Sequence, residues 1–178
     1  MDSTKRRLAN SLKELMKTQH LEKISIQELC SNAFLSRQSF YNYFDDKYQL
    51  VSWILNNVFT STQIHSDIPS AWRENTRLFL IEMKKDADFF NKAYRYIGQN
   101  SLEEYHLDLL INFYLPICER EKGRKLSREE EYCLRFYLYE LANLISRWAR
   151  QGMPETPSYI LELFQLMMPE IVKKYLCP

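Results

Sequence analysis

The chain has 178 residues, 46% apolar and 14% aromatic, with 24 basic side chains against 23 acidic ones for a net charge of +1. Such a composition builds one or two domains with a sizeable core, and it excludes both a disordered polyelectrolyte and a globally cationic nucleic-acid binder. Three glycines in the whole chain exclude a glycine-rich phosphate loop, and no alternation of strand and helix patterns announces a nucleotide-binding sheet.

Leu8, Leu12, Leu15 and Met16 recur at helical spacing and give the first helix one apolar face. Lys5, Arg6 and Arg7 at its entry read equally well as a solvated terminus or as cations facing phosphate. Ser25 followed by Glu28 is a capping-box pattern, which starts a second helix with Ile26, Leu29 and Cys30 on its inner face. Ala33, Phe34 and Leu35 make a turn, and Ser36 caps a third helix that buries Phe40 and Phe44. Neighbours in a helix point about 100° apart, so Arg37, Gln38, Ser39, Tyr41, Asn42 and Tyr43 form the outward set.

Two short helices joined by a tight turn are the layout of a helix-turn-helix, whose second helix enters the major groove with its N-terminal residues at base edges. The outward side chains have the matching chemistry, since Arg pairs with guanine, Gln or Asn with adenine, and hydroxyls with phosphate or base acceptors. Residues 1–48 hold eight Lys or Arg and six Asp or Glu, a net +2, so the small cationic excess sits at this end.

A fourth helix runs from Asp46 to Phe59 with Leu50, Val51, Ile54, Leu55 and Val58 on one face, and it links this head to the body. The polar stretch Thr60–Ser70, which contains Pro69, reads as the connection between them. Helices follow over Ser70–Lys85 and Asp88–Ile97, and Ser101 with Glu104 caps another in which Pro116 predicts a kink or an end. Ser127 with Glu130 opens a long helix to Arg150, Thr156-Pro157 opens the last, and Pro169 bends or divides it. Gly98, Gly123 and Gly152 fall at expected helix ends, where a left-handed cap favours glycine. The fold class is therefore all-α, with a helix-turn-helix DNA-binding domain over 1–48 and a helical dimerisation and effector domain over 49–178.

Ala33, Ser36, Phe40, Tyr41, Tyr43, Phe44, Lys47 and Leu50 stand in the register of the TetR family motif, and the chain resembles that family of bacterial transcriptional regulators. The family usually has glycine where Phe34 stands, so the turn is either rebuilt or strained, unless the ring packs on the first helix. The same replacement occurs in a Firmicutes-type branch that includes a co-activator of dihydroxyacetone kinase operons. The resemblance implies base contacts from Arg37, Gln38, Ser39 and Asn42, and phosphate contacts from Ser25, Ser36, Tyr41, Tyr43 and Lys47. It also implies a homodimer on a palindromic operator in double-stranded DNA, built by the last two long helices.

The helix over Tyr132–Trp148 is apolar on nearly every side and needs burial all round. Leu138, Leu141, Ile145, Leu163, Phe164 and Met167 are the expected dimer interface. Tyr94, Phe113 and Tyr114, with Glu140, Asn143 and Arg147, are the expected lining of an effector pocket, although Glu140 and Arg147 read more readily as a solvated edge or as pairs within the dimer. Cys30, Cys118, Cys133 and Cys177 have no metal or redox spacing, and His20, His65 and His106 are scattered, so neither metal nor cofactor is expected. No nucleophile-base pair points to an enzyme, and no signal peptide or membrane span is read, which makes the protein cytoplasmic. The expected function is a dimeric repressor released from its operator by a small-molecule effector, or alternatively an activator or co-activator controlled by a protein partner.

Overall fold

Side-chain caps set where the helices begin. In the computed structural model, which describes residues 3–63 and 68–176, α1 (Ser3–Thr18) is followed by a short 3-10 turn (Leu21–Lys23), α2 (Ile26–Asn32), α3 (Arg37–Tyr41) and α4 (Lys47–Thr62). Ser25 Oγ accepts from Glu28 N at 3.1 Å, Ser36 Oγ from Ser39 N at 3.0 Å and Asp46 Oδ1 from Gln49 N at 2.7 Å, each satisfying an amide that has no partner inside its helix. The box expected at Ser25 is half formed, because the Glu28 carboxylate accepts from the Gln19 side chain instead. Leu8, Leu12, Met16, Leu29, Phe40 and Phe44 fill the small core that these helices share.

The body consists of α5 (Ile68–Lys85), α6 (Ala87–Arg95), α7 (Leu102–Lys122), α8 (Arg128–Arg150), α9 (Pro157–Met167) and α10 (Glu170–Leu176). No strand occurs among the described residues, and no helix of theirs is long and apolar enough to cross a membrane. α8 packs along α7 and α6, α5 lies between α4 and α9, and α10 closes over α5, α7 and α8. α4 packs against α1 on one side and against α5 and α7 on the other, so the buried core runs without a break from Leu8 to Leu176. The division at 48 and 49 falls inside the first turn of α4.

Several expectations change in detail. The connection read over Thr60–Ser70 is shorter, because α4 continues to Thr62 and α5 takes Pro69 into its first turn, where no amide is needed. His65 and Cys177 lie outside the described residues. Pro116 neither ends nor divides α7, which runs on to Lys122. The carbonyl left without an amide partner belongs to Asn112, and both residues are exposed, so water satisfies it at little cost. Gly123 and Gly152 are the left-handed helix ends expected, at φ 69° and 82°. Gly98 is not: it lies beyond α6 without a positive φ, and a Cβ there would run into the Tyr96 ring. Pro169 does separate α9 from α10.

Glu130 joins three elements through one side chain. It closes the Ser127 capping box, with Ser127 N donating to Oε2 at 2.7 Å, pairs with Lys122 and Arg124 and accepts from the Tyr175 hydroxyl at 3.5 Å. Glu130→Ala keeps the bond from its own amide to Ser127 Oγ but removes the carboxylate that accepts from Ser127 N, an expected loss of about 1 kcal/mol in a urea titration.

Candidate nucleic-acid interface

The turn between α2 and α3 keeps the left-handed backbone with a phenylalanine in it. Phe34 has φ 53°, a conformation that costs a residue with a Cβ roughly 1–2 kcal/mol. It is held there by both bonds of a Schellman motif, from Leu35 N to Cys30 O at 2.9 Å and from Phe34 N to Ser31 O at 3.1 Å. Arg7 of α1 adds a clamp, its Nη2 donating to Ala33 O at 2.6 Å and to Phe34 O at 2.9 Å. Ser11, one turn further along α1, donates to Leu29 O at 2.8 Å and accepts from Asn32 Nδ2 at 3.0 Å. The turn is thus strained rather than rebuilt, and the Phe34 ring does not pack on α1: it is 88% exposed. Arg7 was legible only as a cation near the start of α1; its pairing with Ser11 at i+4, flanking the apolar face, is the signal that α1 grips the turn.

α3 is one turn and a half, and its backbone bonds continue past Tyr41, from Asn42 N to Gln38 O, Tyr43 N to Phe40 O and Phe44 N to Phe40 O. That continuation carries Phe44 into the core beyond the formal end of the helix. Arg37, Gln38 and Asn42 are exposed on one surface, with Gln38 Nε2 donating to Asn42 Oδ1 at 3.2 Å. Ser39 is half-buried and its hydroxyl lies 2.9 Å from that of Ser36. Tyr41 and Tyr43 are partly exposed beside them, Tyr41 edge-on to Phe40, and Lys5 Nζ sits 5.5 Å over the Tyr43 ring. Ser25 is exposed at the start of α2.

Lys47 is less free than its place in the motif implies. Its ammonium donates to Glu22 O and Ile24 O, both at 2.8 Å, which ties the start of α4 to the 3-10 turn and leaves one proton for a phosphate. Burial pushes its pKa down, with Glu22 and Asp46 pulling the other way. Next to it Tyr48 stacks on Tyr96 at 4.3 Å between ring centres, and burial with the Tyr96 hydrogen bond pushes the Tyr48 hydroxyl up to about 12. Asn100 reaches Asp46 at 3.4 Å, while Lys92 caps the end of α1 at Met16 O and Lys17 O and Asp86 pairs with Lys13. The segment around α6 therefore grips the head at both α1 and α4. Sequence reasoning missed these partners, because each lies more than forty residues from its mate.

The expected effector pocket is not assembled. Tyr94 is buried with its hydroxyl 2.7 Å from His106 Nδ1, Phe113 lies edge-on between Phe59 and Tyr114, and Arg147 is exposed. Tyr114 alone of the six lines a cavity inside the body that measures about 20 Å³ between Phe59, Phe79, Leu141, Ile145 and Phe164. That is room for one water and far below the several hundred Å³ of a small-molecule pocket. Asn143 instead lines a surface hollow of about 310 Å³ with Tyr139, Glu103 and Arg150, and Glu140 is half-buried on the same helix. The α8 residues face outward while Tyr94 and Tyr114 face inward, so the two sets do not converge.

The expected dimer interface also needs correction. Leu138, Leu141, Ile145 and Phe164 are buried in the protomer's own core, and Tyr137 Oη donates to Phe164 O at 3.1 Å across the α8–α9 contact. Of the six only Leu163 and Met167 reach the surface. The outward row on α8 is Tyr132, Phe136 and Tyr139, and on α9 it is Tyr159, Leu163, Leu166 and Met167, with Phe136 66% and Leu166 82% exposed.

Over residues 70–170 the chain matches the TetR-type family described as transcriptional regulator C-terminal region. It is 29% identical over 91 residues to the HTH-type dhaKLM operon transcriptional activator DhaS of Lactococcus lactis subsp. lactis strain IL1403. That stretch covers 51% of this chain and 49% of the relative, about half the length of each. Among solved structures, the dihydroxyacetone kinase operon activator DhaS aligns over 93% of this chain and 96% of its own with a TM-score of 0.66 at 24% identity. The fatty acid degradation regulator FadR from Bacillus halodurans aligns over 96% and 97% with a TM-score of 0.59 at 11% identity. At these identities the structural likeness is one of fold.

Proposed function

The chain belongs to the TetR family of transcriptional regulators, and from that premise we propose that it is a cytoplasmic homodimer which reads a palindromic operator through the α2–α3 head. One observation carries this reading: Arg37, Gln38 and Asn42 are exposed together on a helix whose inner side is locked by Phe40 and Phe44. Base contacts fall to these three and Ser39. Phosphate contacts fall to Ser25, Ser36, Tyr41, Tyr43 and the free proton of Lys47. One five-residue helix reaches too few base pairs for useful specificity, and two heads related by a dyad read both halves of a palindrome. The outward rows of α8 and α9 supply the apolar surface for that dyad.

Selection of bound duplexes from a random DNA pool at about physiological salt tests the reading, since non-specific phosphate binding is weak there. Enrichment of a palindrome is the expected result, and a pool that stays random refutes it. Gln38→Ala is expected to change the preferred base at one position of each half-site; an equal loss on every sequence would remove Gln38 from base reading.

A second reading concerns control. The filled body favours an activator or co-activator answering to a protein partner on its surface over a repressor released by an enclosed small molecule, and the relative that matches half the chain is described as an operon activator. A reporter driven from the enriched duplex separates the two: expression that falls on deletion of the gene marks an activator, and expression that rises marks a repressor.

A further inference from the structure

We propose that Phe34 is an additional specificity-determining residue, its ring packing on the C5-methyl group of a thymine in each half-site. The inference rests on the DNA-reading function proposed above. Phe34 is the most exposed large apolar side chain described, and it occupies a position where glycine would be free of strain. Its backbone is not loose: two turn bonds and two from Arg7 fix it relative to α3. An exposed ring on a backbone held this firmly is presented to something.

Its surroundings say to what. Phe34 lies two residues before Ser36, the cap of α3, beside the residues of a reading helix that meet base edges. Arg7 sits on its carbonyl and Arg37 is three residues on, both exposed, so the turn that carries the ring is flanked by cations. Such a surface fits a polyanion better than an apolar protein face. Within a duplex the apolar feature of the major groove is the thymine methyl, and a phenylalanine is among the side chains that contact it.

The test uses the purified full chain and the duplex it enriches from a random pool. Each thymine is replaced in turn by deoxyuridine, which removes the methyl group and leaves every hydrogen-bonding group in place. For the wild type, one thymine in each half-site is expected to lose about fourfold in affinity on replacement, the scale of one buried methylene-sized group. Phe34→Gly is expected to bind the unmodified duplex more weakly and to be indifferent to that replacement, while its unfolding midpoint stays level or rises because the left-handed strain is gone. A Phe34→Gly variant with the wild-type deoxyuridine profile overturns the proposal, as does a wild type that responds to no thymine. Unchanged DNA binding with a lost transcriptional response would overturn it too and assign the ring to a protein partner. If the wild type enriches no duplex, the DNA-reading function itself fails; if it enriches one and the variant profile is unchanged, only the Phe34 assignment does.

Discussion

Folding stability is expected to fall by about 1.4 kcal/mol for each pH unit between about 6.5 and about 3 on account of His106 alone. The ring is fully buried on α7, its Nδ1 shares a hydrogen bond with the Tyr94 hydroxyl, and its Nε2 has no partner among the described residues. Phe79 lies against it at 5.8 Å between ring centres. Burial pushes its pKa down to about 3, so the folded protein keeps it neutral while the unfolded chain takes up a proton below about 6.5. Between those values the unfolded state binds more protons, and stability rises with pH; below about 3 both states are charged and the contribution stops changing. At pH 4.5 the loss amounts to roughly 3 kcal/mol, a large part of the stability of an ordinary domain. Carboxylates also titrate in this range, so the measurement is a comparison. Urea titrations of wild type and His106→Gln at pH 7, 5.5 and 4.5 are expected to converge as the pH falls, because the glutamine offers no proton site. Parallel pH profiles would show that the ring takes up its proton without unfolding.

Helix starts were legible because capping is local chemistry. Ser36, Ser127 and Thr156 each bond an amide three residues on, and nothing distant can alter that choice. The helix-turn-helix was legible for the same reason, since Phe40 and Phe44 bury themselves four residues apart and force Arg37, Gln38 and Asn42 outward. Pro116 does not end α7, because Asn112 and Pro116 lie on the exposed side of the helix, and that exposure is a property of the packed body. Lys47 was half legible: its charge and place were evident, but the two carbonyls that hold it belong to a turn more than twenty residues earlier. The effector pocket failed for a further reason. Aromatic and polar residues near one another in sequence line a cavity only if packing leaves one, and here Phe59, Phe79, Phe113 and Tyr114 pack edge to face and fill it.

Phe136→Glu and Leu166→Glu are each expected to give a folded monomer whose affinity for the operator is lower on the order of 100-fold. The magnitude follows from tethering, because the second head of a dimer binds as an intramolecular partner of the first and that advantage vanishes with the dyad. The choice of residues follows from α8, which is apolar on nearly every side and so does not reveal in sequence which face meets the protomer and which meets its mate. Burial separates them: Leu138, Leu141 and Ile145 are inside the protomer, whereas Phe136 and Tyr139 on the same helix are exposed with no core to lose. Leu138→Glu is therefore the informative contrast. It places a carboxylate in a fully buried site, with a cost of several kcal/mol, and is expected to unfold the protein rather than divide it. Light scattering at micromolar concentration with a thermal melt distinguishes the two outcomes. A Phe136→Glu protein that remains a dimer would move the dyad off this face of α8, and a Leu138→Glu protein that is a folded monomer would restore the buried row as the interface.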